Sequence, residues 1–155
     1  MIGDVMENQG AQYTKILVPM DGSENSSRAA NVAIDLAKDN NAQLTVFTVI
    51  PLPNVMGFGP PPTGLEEYYK IQDRESEALL ERVISDAAKR GVKASGEKTS
   101  PVTSVVSSIL DFAQQNRIDL IIIGTRGLGG FKRTMLGSVS TGVVTHAHCD
   151  VLIVR

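Results

Sequence analysis

Leu120 to Ser140 reads LIIIGTRGLGGFKRTMLGSVS, and the fold turns on this stretch. Leu120 to Ile123 is an unmixed apolar run. Such a run predicts a strand buried on both faces, because a half-solvated strand would alternate apolar with polar residues. The glycine-rich segment Gly124 to Gly137 comes next. Ser138 to Ala147 then carries Val139, Val143 and Ala147 on one side, which predicts a short helix.

The same grammar runs outward in both directions. Tyr13 to Pro19 (YTKILVP) is a short apolar run closed by proline, a buried strand. After the turn Met20-Asp21-Gly22-Ser23, the residues Ala29, Val32, Ala33, Leu36 and Ala37 recur at helical spacing up to Asn40-Asn41. Leu44 to Ile50 (LTVFTVI) is β-branched and apolar, a second buried strand. Pro51 to Thr63 is rich in proline and must be irregular: a lid, a partner-binding segment or a disordered stretch. Thr63 with Glu66 forms a capping box that opens a long helix, its apolar face Leu65, Tyr68, Tyr69, Ala78, Leu79, Val83 and Ala87, its end Gly91. Val92 to Lys98 alternates weakly and predicts a short edge strand. Ser104 to Gln115 predicts a helix with Val105, Ile109, Phe112 and Ala113 inward, and Val151 to Val154 a closing strand. Strand-helix alternation with continuously apolar strands predicts a single-domain α/β protein: an open parallel five-stranded sheet with helices on both faces, Rossmann-like. The domain spans 13–155, after a flexible tail over 1–12.

Composition narrows the function. The chain has 155 residues, enough to bury a core without staples. Its formal net charge of -2 gives no general attraction to nucleic acid. Cys149 is the one cysteine, so neither an intrachain disulfide nor a cysteine-built metal site is expected. Cys149 itself reads as buried and inert. His146 and His148 fall at a helix C-terminus, where they suit the dipole better than they suggest a metal. No stretch suits a signal peptide or a membrane span, which predicts a cytoplasmic protein.

In open parallel sheets ligands sit beyond the C-terminal strand ends. The chemistry there is concentrated in the opening stretch. Two residues separate Gly124 from Gly127, nine separate Gly127 from Gly137, and Ser138 follows at a helix start. Small residues let a ligand approach the main chain, and the amides of a helix start bind anions. Ser138 and Ser140 add hydroxyls, while Arg126, Lys132 and Arg133 add positive charge. The segment reads as a phosphate cradle. Gly129 and Gly130 alone would be explained as well by tight turns. The pattern is neither a Walker A loop, since no Gly-Lys dipeptide occurs, nor a G-x-G-x-x-G fingerprint. Asp21, just after the first strand, is a ligand-contact candidate, with a turn-forming role as the plainer alternative.

Together these residues resemble the universal stress protein family, ATP-binding subgroup. The carriers are Gly124-x2-Gly127-x9-Gly137-Ser138, Lys15 to Pro19 with Asp21, Ser23 and Ser26, Thr48-Val49-Ile50, and Val151 to Arg155. The resemblance covers Lys15 to Arg155. It implies the strand order 3-2-1-4-5 and ATP as ligand, with Mg2+ as an optional companion. It implies that Asp21 and the backbone of Pro19 and Met20 hold the ribose and adenosine side. The main chain at Val49 would read the adenine edge. Gly124, Arg126, Gly127, Gly137, Ser138, Val139 and Ser140 would form the phosphate side. It further implies a homodimer through the closing strand 151–155. Met20 replaces a smaller residue of the family, and Asp150 a proline. Function on this reading is a nucleotide-dependent switch in the stress response; the alternative is slow ATP hydrolysis or self-phosphorylation on Ser138 or Ser140.

Overall fold

Strand and helix alternate strictly through the residues that the computed structural model describes: 12–50, 52, 64–99, 104–127 and 136–155. The elements are β1 (Lys15–Met20), α1 (Glu24–Asn40), β2 (Gln43–Thr48), α2 (Leu65–Lys89), β3 (Ala94–Lys98), α3 (Val105–Gln115), β4 (Leu120–Gly124), α4 (Ser138–His146) and β5 (Asp150–Val154). They build one five-stranded sheet in the order β3-β2-β1-β4-β5, every pairing parallel, as expected. The tail over residues 1–11, most of the loop 51–63, and Gly129, Gly130, Lys132 and Arg133 lie outside the described residues.

Two apolar layers hold the helices to the sheet. Ile16, Val18, Val46 and Ile122 point to one face, where Ala30, Ala33 and Ile34 of α1 and Leu80, Val83 and Ala87 of α2 cover them. Leu17, Phe47, Ile121 and Ile123 point to the other, under Ile109 and Ala113 of α3 and Val143 of α4. Phe47 stacks on Phe112 with ring centroids 4.5 Å apart. The unmixed composition of β1 and β4 follows from this double coverage. Small residues set the closest approaches. Gly142 of α4 lies where a Cβ would press into Val106 of α3.

Helix ends follow local chemistry. Ser23 caps α1, its Oγ accepting the Ser26 N–H at 3.1 Å, and Asn41 ends it in the left-handed region at φ 51°. Ser104 caps α3 through the Ser107 N–H at 3.2 Å. Gly91, at φ 78°, follows the end of α2, a conformation that glycine adopts without strain. The start of α2 differs from expectation. Its N-cap is Gly64 at φ 104°, with no side-chain cap bond among the described residues, and Thr63 of the expected capping box lies outside them. Within α2, Ala78 is exposed, not inward; Leu80 and Ser76 take the buried positions.

One irregularity positions the site. The β1–β2 ladder runs as far as Met20↔Thr48 and the β4–β5 ladder to Gly124↔Val154. The β1–β4 ladder ends at Leu17↔Ile121, two residues short of Pro19, which has no N–H to donate. The sheet therefore splits at its C-terminal edge, between the two strands whose crossovers leave to opposite faces.

Candidate functional site

The split opens into a cavity of about 1110 Å3. Four chain segments wall it. From the end of β1 come Pro19, Met20 and Asp21; from the end of β2, Phe47, Thr48 and Val49; from the end of β4, Gly124, Arg126 and Gly127; and from the start of α4, Gly137, Ser138, Val139 and Ser140. All eleven residues singled out in the sequence border this one space.

Close approach requires glycine at one of these positions and favours it at a second. A Cβ on Gly124 would lie 2.8 Å from the backbone carbonyl carbon of Asn25, so α1 could not start where it does. A Cβ on Gly127 would collide with the Asp21 carboxylate. Asp21 and Gly127 thus face each other directly across the split. Asp21 also has a turn role, since its Oδ1 accepts the Ser23 N–H at 2.9 Å. Its side chain is exposed and the second oxygen faces Gly127, so the turn does not exhaust its bonding capacity.

The opening turn of α4 divides its polar groups between the protein and the cavity. The Gly137 N–H donates to the Thr125 carbonyl at 2.7 Å. The Ser140 hydroxyl, 2% exposed, lies 2.9 Å from both the Gly124 and the Thr125 carbonyls and can donate to either one. A buried carbonyl is costly to leave unpaired: the Gly137 N–H serves Thr125, and the Ser140 hydroxyl adds a bond to one of the two carbonyls at a time. Among the described residues, the amides of Ser138, Val139 and Ser140 have no protein partner, as geometry dictates for a first turn. Ser138 is exposed, and its hydroxyl enters no hydrogen bond among those residues. Arg126 is half-buried and makes no ion pair among them. Three amides, a hydroxyl and a guanidinium at the positive end of a helix suit an anion.

The face opposite was missed by the sequence. Gln72, Glu75, Leu79 and Arg82 lie along one side of α2 and border the cavity, as does the buried Ser76. Helical periodicity separated apolar from polar positions but could not show that this polar stripe faces a cavity instead of bulk water. Thr48 was quoted only as part of a strand end. It is 5% exposed, borders the cavity, and its hydroxyl has no hydrogen-bond partner among the described residues. Met20 is 4% exposed and forms part of the cavity floor beside it.

Other candidates fall elsewhere. Asp150 starts β5 and accepts the Tyr13 hydroxyl at 2.9 Å, which holds the Tyr13 phenol above its ordinary pKa. Cys149 is half-buried, not fully buried. Burial first, then the Asp150 and Asp119 carboxylates, push its thiol up, so it remains a poor nucleophile. His146 Nδ1 lies 3.0 Å from the Gly142 carbonyl in the last turn of α4. Tyr68 and Tyr69 are half-buried and meet edge to face. No helix among the described residues is long and apolar enough to cross a membrane.

Comparison with known proteins agrees with this geometry. The sequence model of the universal stress protein family matches residues 12–155. A universal stress protein of Methanocaldococcus jannaschii is 33% identical over 155 residues, covering 100% of this chain and 89% of that one. The solved universal stress protein UspA of Lactobacillus plantarum superposes with a TM-score of 0.82 at 27% identity, over 94% of this chain and all of that one. A universal stress protein solved in complex with cAMP superposes with a TM-score of 0.62 at 28% identity, over 94% of this chain and 98% of the other.

Proposed function

The chain belongs to the universal stress protein family, and from that membership we propose that it is an ATP-binding switch protein of the stress response, acting in the cytoplasm. One observation carries this reading: three amides of the α4 start that no described residue engages, the Ser138 hydroxyl and Arg126 converge on the cavity that opens between β1 and β4. In the proposed complex these groups hold the phosphates, with Gly124, Gly127 and Gly137 keeping the wall low enough for main-chain contact. Asp21 takes the ribose hydroxyls, beside the backbone of Pro19 and Met20. The Val49 main chain meets the adenine edge. A Mg2+ would ride on the phosphates as an optional companion. That a relative carries cAMP supports an adenine nucleotide as the ligand class.

The test is equilibrium binding of ATP to the purified protein, by calorimetry. Saturable binding is expected; no heat and no retention at millimolar ATP would remove the proposal. Gly127→Val should abolish binding and leave the fold intact, and normal affinity in that variant would break the phosphate assignment.

The alternative of self-phosphorylation narrows to one acceptor. Ser138 is exposed on the cavity, whereas the Ser140 hydroxyl is buried and engaged. Label transfer from γ-labelled ATP that persists in Ser138→Ala would rule that acceptor out. We also propose a homodimer through β5, whose outer edge pairs with no strand among the described residues and which exposes Leu152. Sedimentation equilibrium decides it: a monomer at high micromolar concentration would exclude it.

A further inference from the structure

We propose that Thr48 is a base-reading residue: its hydroxyl supplies a hydrogen bond to the nucleobase edge of the bound nucleotide. The inference rests on the reading of the cavity as a nucleotide site and adds to it a side chain that selects the ligand.

Thr48 is the last residue of β2, paired with Met20 on one side and Lys98 on the other. Its own carbonyl is satisfied, accepting the Thr99 N–H at 3.1 Å. Side chains alternate across the sheet. Val46 belongs to the layer under α1 and α2, while Phe47 and Val49 belong to the layer under α3 and α4. Thr48 therefore projects toward α1 and α2. On that side Ser26 of α1 and Ser76 of α2 also border the cavity. The Ser26 hydroxyl is already engaged, donating to the Ser23 carbonyl at 2.9 Å. The Thr48 hydroxyl is not: it is shut away from water and has no partner among the described residues.

A buried hydroxyl without a partner destabilises the free protein, and valine would fill the same volume without that penalty. Valine would also suit a β-branched strand as well as threonine does. An orphaned hydroxyl beside a cavity is accounted for when a bound molecule completes it. The proposed contact includes a rotation about the Cα–Cβ bond, because the oxygen is shut away from water in the free protein.

Position selects which part of the ligand that is. The phosphate side lies at the end of β4 and the start of α4. β1 separates β4 from β2, and strands repeat about 4.8 Å apart, so Thr48 stands roughly 10 Å from the cradle. A sugar and a base span that distance from a phosphate. The other explanation is a single trapped water, and the experiment separates the two.

ATP and AMP affinities are measured for the wild-type protein, Thr48→Val and Thr48→Ser, with the Tm of each free protein. Thr48→Val should weaken ATP about five- to thirty-fold, the effect of losing one buried hydrogen bond. AMP, which shares the base, should weaken by the same factor. The Tm of free Thr48→Val should be equal or higher, and Thr48→Ser should keep near wild-type affinity. Unchanged ATP affinity in Thr48→Val means a water or nothing, and overturns the inference while the nucleotide site stands. A loss confined to ATP puts the contact on the phosphate side and overturns it too. If the wild-type protein binds neither nucleotide, the site itself fails and this falls with it. Should Thr48→Val not fold, Thr48→Ala serves the same purpose, and unchanged affinity there is equally fatal.

Discussion

Asp21 and Gly127 are the two residues that face each other across the split sheet, and their contact can be tested without any ligand. A Cβ at position 127 would overlap Asp21 Oδ2. The backbone at Gly127 lies outside the left-handed region, so alanine brings no dihedral strain there. The carboxylate is the exposed end of a short side chain and can turn aside. Its other oxygen holds the Ser23 N–H at 2.9 Å, however, and that bond is lost when the group turns. One such bond contributes about 0.5–1.5 kcal/mol. A domain of this size loses about 2–4 °C per kcal/mol, so Gly127→Ala should lower Tm by about 1–6 °C. In an Asp21→Ala background neither the clash nor the bond exists. There, adding Gly127→Ala should shift Tm by less than about 1 °C. Calorimetric melting of the four proteins of this double-mutant cycle is the assay. An equal loss in both backgrounds would refute the reasoning, because the cost at 127 would then arise without Asp21.

Ser140→Ala should lower stability by about 0.5–1.5 kcal/mol, since one buried hydroxyl hydrogen bond is lost, whereas Ser138→Ala should leave Tm unchanged; urea melts of the two variants check this. For Cys149 the sign follows from its raised pKa: at a given pH less thiolate is present than in a free cysteine. Iodoacetamide should therefore alkylate the folded protein slowly at pH 8, with a rate profile whose midpoint lies above that of free cysteine, and a midpoint at or below it would contradict the burial argument.

What could be read from the sequence depended on how local the signal was. β4 and β1 were legible because a strand covered on both faces has no polar positions, and Leu120 to Ile123 shows this without an alignment. The glycine spacing was legible because close approach forbids a Cβ, and Gly124 and Gly127 each meet a neighbour that would collide with one. The engagement of the Ser140 hydroxyl was not legible, because serine at a helix start serves a ligand or a carbonyl equally well; only the fold brings the Gly124 and Thr125 carbonyls beneath it. The α2 wall could not be read at all. Gln72, Glu75 and Arg82 have the composition of any solvated helix face, and their meeting with the ends of β1 and β4 is a tertiary event. Thr48 was hidden for another reason. Threonine is a good strand former, so a hydroxyl inside an apolar run raises no local conflict, and only the missing partner in three dimensions distinguishes it from its neighbours.

The proposed switch needs a physical connection between the cavity and the proposed dimer edge, and Thr125 supplies one. It is 8% exposed and lies between the last residue of β4 and Arg126. Its carbonyl takes the Gly137 N–H at 2.7 Å and the Ser140 hydroxyl at 2.9 Å, which tie it to the α4 start. Its own N–H donates to the Val154 carbonyl at 2.9 Å, which ties it to the end of β5. An anion drawn against the amides of Ser138 to Ser140 pulls on the same turn that grips Thr125. The end of the edge strand is one hydrogen bond further on. Such a chain couples two sites only if it has two arrangements of comparable free energy. A lone buried hydroxyl bridging two carbonyls is the part best able to have two, because it can donate to only one of them at a time.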